Sequence, residues 1–224
     1  MNKSALVMQA RLSSTRLQQK ALLPLREHES SLSLAMQGVY GVADYHLLAC
    51  DEQSYDTFTP TALEHHFQIT AGSLDDVLER FTQALQCIPP VKYVIRATAD
   101  NTIVGRSLPR LALEYADHRD VDYLCFSGTP HGSGVEVIRY DALLLAHQRA
   151  SSSYEREHVT PYIYQHPEQF KVENPPAPMQ WCAEEIRSTL DTPEDYARLK
   201  AFWAEYQGDF DSIIEEYIQW VRRG

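Results

Sequence analysis

Short apolar runs alternate with helical periods along almost the whole chain, and this alternation limits the fold more than any other feature. Residues 5–10 (ALVMQA), 45–50 (YHLLAC), 67–70, 92–98, 122–127 and 135–140 read as strands, with a last short strand at 186–190. The clearest helix covers residues 73–85. Ser73 can cap it, Asp75 and Asp76 fall in its first turn, Leu74, Val77, Leu78, Phe81 and Leu85 form one stripe, and Pro89-Pro90 forces a stop. Residues 107–116 and 141–150 are helical, residues 155–164 form a helix that Pro161 must kink or delay, and two helices close the chain. Strands spaced by helices predict an α/β fold, a mostly parallel sheet sandwiched by helices. The 224 residues suit one domain, 1–224, with C-terminal helices from about residue 193 packed on it.

Several classes of protein are excluded by what is missing. Cys50, Cys87, Cys125 and Cys182 include no close pair, so neither a zinc framework nor a disulfide framework is expected. Cys50 and Cys125 sit in apolar runs as small core residues. No apolar run approaches the roughly 20 residues that span a bilayer, and the N-terminus lacks the long apolar region of a signal peptide, so a cytoplasmic protein without a membrane partner is expected. A net charge of −11 argues against nucleic-acid binding. The charge is unevenly spread, however. Residues 1–26 hold Lys3, Arg11, Arg16, Lys20 and Arg26 and no acidic residue at all. Such a stretch is either a solvated basic face or a site for a small anion.

In mostly parallel sheets ligands lie outside the carboxyl ends of the strands, and three strand ends here carry suitable chemistry. The first is Arg11-Leu-Ser-Ser-Thr-Arg16-Leu-Gln-Gln-Lys20, with three cations and three hydroxyls directly after a buried strand. Guanidinium and ammonium groups neutralise phosphates while hydroxyls and backbone N–H groups orient them. The stretch is not a Walker A loop, because the Gly-x-x-x-x-Gly-Lys pattern is absent. The second strand end, Arg96-Ala-Thr-Ala-Asp100-Asn101, offers a carboxylate for Mg²⁺ or an Asx-turn. The third is Thr189-Leu190-Asp191-Thr192-Pro193-Glu194-Asp195, where Thr192, Pro193 and Asp195 read as a helix cap and Asp191 is left for a second metal carboxylate.

Taken in order, QARLSSTRLQQK, GSLDDVLERF, RATADN, GVEV, REHVTPYI and LDTPED resemble the spore-coat polysaccharide (SpsF-type) cytidylyltransferases, relatives of the CMP-KDO and CMP-sialate synthetases. The likeness spans roughly residues 5–200. It implies a GT-A-like nucleotidyltransferase fold and reaction of CTP with a sugar or sugar acid, assisted by Mg²⁺, to give a CMP-sugar and pyrophosphate for surface polysaccharide. Carried over by position, Arg11, Arg16 and Lys20, with Ala10, Ser13 and Ser14 beside them, match the triphosphate-binding loop. Asp100 and Asp191 match the metal carboxylates, and Arg11, Lys20, Asp100 and Asp191 together would support catalysis. Asp51, Gly72 and Ser73 fall near the nucleoside pocket, and Asn101, Glu136, His158 and Tyr162 on the acceptor side. His158 can also be read as a helix residue satisfied by a neighbour such as Glu155.

The acceptor pocket would depend on residues 128–134, which read as a polar, flexible connector. The resembled family is often dimeric, and the apolar face of Ile213, Ile214, Tyr217, Ile218 and Val221 could meet either the core or a second copy in a homodimer. The chain also departs from the family. Gln18-Gln19 stand where Pro and Gly are usual, residues 26–30 replace a glycine-containing turn, Thr102 follows Asp100-Asn101 in place of Pro, and Gln37 takes the place of an Arg. These departures leave open a relative that binds nucleotide or sugar with little or no turnover.

Overall fold

The computed structural model describes residues 3–224. The chain begins with strand β1 (Ser4–Ala10), a short hairpin of β2 (Pro24–Arg26) and β3 (Glu29–Ser30), and helix α1 (Ser31–Val39). Next come β4 (Tyr45–Asp51), α2 (Tyr55–Glu64), β5 (Gln68–Gly72), α3 (Val77–Leu85), β6 (Tyr93–Thr98) and α4 (Ser107–Arg119). Strands β7 (Tyr123–Cys125) and β8 (Glu136–Arg139) precede helices α5 (Tyr140–Arg149), α6 (Ser153–His158) and α7 (Pro161–Tyr164). A short β9 (Val172–Glu173) and the helices α8 (Pro193–Glu205) and α9 (Ile213–Arg223) complete the fold.

Seven strands form one sheet in the order β5-β4-β1-β6-β8-β7-β9. All neighbours are parallel except β8, which runs antiparallel to both β6 and β7. The continuous apolar runs follow from burial on both faces. Leu6, Met8, Leu48, Cys50, Ile95 and Ala97 join one core cluster with residues of α1, α2, α4, α8 and α9. Ala5, Val7, Leu47, Ala49 and Val94 join the other with α3, α5 and α7. Parallel register places Ala10 beside Cys50 and Gln9 beside Thr98, so the loops leaving β1, β4 and β6 emerge at one edge of the sheet. Cys50 and Cys125 are free thiols, one buried and one half-buried, and burial raises their pKa values to about 12 and about 11. Among the described residues no helix is long and apolar enough to cross a membrane.

Several local expectations are corrected. Residues 186–190 are not a strand. They make single bridges, Asn101 with Thr189 and His131 with Arg187. Helix α3 starts at Val77 with Asp76 as its cap, accepting from Glu79 N at 2.8 Å, while Ser73 Oγ accepts from Asp76 N one turn earlier. Leu74 therefore lies outside the apolar stripe and is partly exposed. Pro161 begins α7 after a break at Val159, whose φ is 73°. Ile213, Ile214, Tyr217 and Ile218 are buried in the chain's own core, so this face of α9 is not left for a second copy.

The connector at residues 128–134 is held firmly, against the flexibility expected of it. His131 N donates to Ile186 O at 2.8 Å, Ser188 N donates to His131 O at 2.8 Å, and the Ser133 and Ser188 hydroxyls are 2.8 Å apart. Gly132 sits between these bonds with φ 102°, and a Cβ there would lie 2.6 Å from Thr189 N. Gly132→Ala therefore combines left-handed strain with a backbone clash and is expected to destabilise the fold by at least about 2 kcal/mol. Equilibrium urea unfolding measures this, and an unchanged midpoint would contradict the packing described.

Candidate active site

At the strand-end edge a cavity of about 710 Å³ runs from the loop after β1 to β8 and α6. Its first wall is the basic loop. Leu12 N donates to Ser54 Oγ at 2.9 Å, and Ser54 Oγ donates to Asp51 Oδ1 at 2.5 Å, so the end of β4 anchors the start of the loop. Ser14 Oγ then accepts from Leu17 N, and Gln19 turns the chain in the left-handed region, with φ 50° and ψ 33°. A single helical turn, Lys20–Leu22, follows directly, with Leu22 N donating to Gln19 O. That turn carries the Lys20 side chain inward.

Lys20 meets both carboxylates singled out in the sequence. Its Nζ lies 2.5 Å from Asp100 Oδ2 and 2.8 Å from Asp191 Oδ1. The backbone creates this meeting, because Leu190 N donates to Asp100 O at 2.9 Å and Asn101 bridges Thr189. Arg16 Nη2 reaches Asp191 Oδ1 at 3.1 Å, and Arg187 Nη2 reaches Asp191 Oδ2 at 3.4 Å. Burial opposes both ionised groups. For Lys20 the two carboxylates outweigh it and raise the ammonium pKa, and for Asp191 the Lys20, Arg16 and Arg187 cations outweigh it and lower the carboxyl pKa. Thr192 and Asp195 form the expected capping box at the start of α8, with Pro193 at its first position. The Asp195 carboxylate also accepts from Asp191 N at 3.1 Å, so the cap fixes the backbone of its neighbour.

Other candidates divide clearly. Ala10, Arg11, Ser14, Arg16, Lys20, Asp100, Asn101, Glu136, His158 and Asp191 line the main cavity. Asn101 Oδ1 is buried there without a hydrogen-bond partner. Arg11 is exposed and lies 4.0 Å from a Glu157 oxygen. Asp51, Gly72 and Ser73 line a separate hollow of about 260 Å³, and Ser13 lies outside both. Tyr162 lies outside both as well: it is buried in the core, stacked on His166 with ring centroids 4.3 Å apart. His158 is not paired with Glu155, whose carboxylate accepts from Ser151 N and Ser152 N, and its ring lies against Tyr154.

Glu136 lines the cavity, but its oxygens are engaged. One accepts from Arg96, the other from Tyr123 Oη and Thr160 Oγ1, both at 2.7 Å. Arg96 and the buried Arg80 line the cavity too, each with Nε unpartnered. Neither was singled out from the sequence, although a cation inside the apolar run of β6, or beside the stripe of α3, was the available signal. His131 reaches the site only through its tertiary bridge to Arg187, whereas Arg187 stands four residues before Asp191 and that spacing was the available signal.

The family model described as cytidylyltransferase matches residues 5–220. The chain belongs to the cytidylyltransferase family. It is 30% identical over 231 residues to the spore coat polysaccharide biosynthesis protein SpsF of Bacillus subtilis (strain 168), covering 100% of this chain and 95% of that protein. Its fold is similar to that of a cytidylyltransferase from Leptospira borgpetersenii serovar Hardjo-bovis (strain JB197), with a TM-score of 0.88 at 21% identity over 100% of this chain and 95% of that one. CMP:2-keto-3-deoxy-manno-octonic acid synthetase complexed with CTP is similar with a TM-score of 0.65 at 14% identity, over 89% and 98% of the two chains. The family's nucleotidyltransferase-type α/β fold is the expected one.

Gln19 holds a left-handed conformation that costs a non-glycine residue roughly 1–2 kcal/mol. Gln19→Gly should leave the thermal unfolding midpoint equal or higher, and the β-branched Gln19→Val should lower it. Asp191 stabilises the fold when ionised. Because its folded pKa is depressed, that contribution is complete above its ordinary value near 3.8 and is lost as the pH falls through the folded value. The Lys20 contribution has the opposite sense: it is complete below the ordinary value of 10.5 and is lost as the pH rises through the higher folded value. The stability difference between the unaltered chain and Asp191→Asn should thus stay flat from about pH 5 to 9 and shrink towards pH 3, as read from urea midpoints.

Proposed function

We propose that this chain transfers a cytidylyl group from CTP to a sugar or sugar acid, releasing pyrophosphate and forming a CMP-sugar for surface polysaccharide. The observation that supports it most is the convergence of Asp100 and Asp191 on one cation beside the basic loop. The chain is read as a single nucleotidyltransferase domain. CTP would lie along the cavity with its triphosphate against Arg11, Ser14, Arg16 and Lys20 and its acceptor towards β8 and α6.

Asp100 and Asp191 fit Mg²⁺. Both place an oxygen within reach of one cation, the Lys20 ammonium, and Mg²⁺ is ordinarily held by one or two carboxylates together with substrate phosphate oxygens and water. No group of three or more His, Cys, Asp or Glu side chains suited to a metal occurs among the described residues, and the protein's donor set here is the carboxylate pair. When bound, Mg²⁺ supplies charge neutralisation at the phosphates. Arg11, Arg16 and Lys20 hold the leaving pyrophosphate, and Asn101 and His158 face the acceptor. Catalysis of this kind depends on positioning and on preorganised charge. No protein nucleophile is assigned, and burial keeps the Cys50 and Cys125 thiols protonated at neutral pH.

Pyrophosphate release from CTP and Mg²⁺, assayed across a panel of sugars and sugar acids, tests the reading. Asp100→Ala and Asp191→Ala are each expected to lower kcat by at least about 100-fold. Full activity in both would remove the assigned metal site. In thermal-shift titrations CTP should stabilise the chain more than ATP, GTP or UTP. Stabilisation by CTP with no turnover on any acceptor would favour the non-catalytic reading instead.

A further inference from the structure

The Lys20 ammonium lies between the two carboxylates assigned to the metal, at salt-bridge distance from both. It is largely buried there, with its side chain 17% exposed, and the Asp191 side chain is 11% exposed. Arg16 and Arg187 add two more cations on Asp191. Asp195, the remaining carboxylate of the cluster, is matched by Arg187 and Arg198. Four cations therefore face three carboxylates in this cluster. A bare divalent cation meets a pair of oxygens already neutralised and surrounded by positive charge. A metal nucleoside triphosphate, which is negatively charged overall, meets a favourable field. The Lys20 side chain also has somewhere to go, since it lines the same cavity as Arg11, Ser14 and Arg16 and sits directly after the turn at Gln19.

We propose that Lys20 makes metal binding conditional on nucleotide: its ammonium occupies the place between Asp100 and Asp191 until a triphosphate draws it away. The inference rests on the metal reading of Asp100 and Asp191 given above. Lys20 then has two alternating partners, the carboxylate pair in the free protein and the triphosphate in the complex. The chain should take up metal together with nucleotide and only weakly without it.

Mn²⁺ alone is the probe, titrated into nucleotide-free protein and followed by electron paramagnetic resonance of the free ion. Lys20→Met keeps the length of the side chain and removes its charge, while Lys20→Arg keeps the charge. Even with the effective screening of a protein surface, one unit charge in contact with the pair is worth more than a factor of ten in affinity. Lys20→Met should therefore bind Mn²⁺ alone about tenfold or more tightly than the unaltered chain, and Lys20→Arg should remain weak. Unchanged or weaker binding in Lys20→Met, binding undetectable in every variant, or an unaltered chain that binds Mn²⁺ as tightly as Lys20→Met would each overturn the inference. An Asp191→Asn control with CTP present separates the two readings. If Asp191→Asn binds Mn²⁺ with CTP as well as the unaltered chain does, the metal site falls and the inference falls with it. Loss of that binding, together with unchanged Mn²⁺ affinity in Lys20→Met, overturns only the role given to Lys20.

Discussion

The contact among Lys20, Asp100 and Asp191 joins three parts of the chain that are distant in sequence, and the architecture of the site depends on it. Asp100 follows β6 and Asp191 precedes α8, and the bond from Leu190 N to Asp100 O keeps the two segments side by side. Two carboxylates this close would ordinarily force one of them to hold a proton. The cations around them prevent this for Asp191, whose pKa is lowered in spite of its burial. The backbone thus imposes a paired negative charge at the strand-end edge, and the acid-free loop after β1 supplies the countercharge.

A second ring of contacts holds that centre in place and gives the C-terminal helices a part in it. Tyr217 Oη on α9 donates to Arg187 O at 2.7 Å and accepts from Arg198 Nε at 3.1 Å. Arg198 in turn pairs with Asp195, which caps α8 and accepts from Asp191 N. Tyr217 is fully buried, so its hydroxyl needs these partners. Capping and site support are therefore carried by the same Asp195 side chain. The cap at residues 192–195 and the support of the Asp191 backbone are one structure.

Strands β1, β4 and β6, together with the loop that follows β1, were legible in the sequence because each is a short apolar run ending in polar or charged residues. Asp191 was legible by elimination, since capping accounts for Thr192, Pro193 and Asp195 and leaves it unexplained. What the sequence hid has a common cause. Residues 186–190 read as a strand from their composition but bond to two different segments, which no local pattern encodes. The resemblance puts Glu136 on the acceptor side, and the antiparallel pairing of β8 with β6, which sets it opposite Arg96, has no local signal in the sequence. Tyr162 read as an acceptor-side residue, but α7 turns it into the core against His166 and Phe170. Helices α1 and α2 lacked a clear signal, and Pro60 inside α2 obscured it further.

Two of the departures from the resembled family fall in turns, and their energetics bear on the shape of the loop that carries Lys20. Gln19 takes a left-handed conformation where glycine is usual, and Glu27 does the same, with φ 45°, in the β2–β3 hairpin that stands where a glycine-containing turn was expected. Across that second turn Arg26 Nε and Glu29 Oε2 are 2.5 Å apart, and Glu29 Oε1 also accepts from Gln37 Nε2. A left-handed non-glycine residue costs roughly 1–2 kcal/mol, against a total stability of about 5–15 kcal/mol for a folded domain. The cost is small against that total, and Lys20 reaches both carboxylates. Both turns hold a left-handed residue without a glycine, and the Arg16 and Lys20 side chains on either side of the first still meet Asp191.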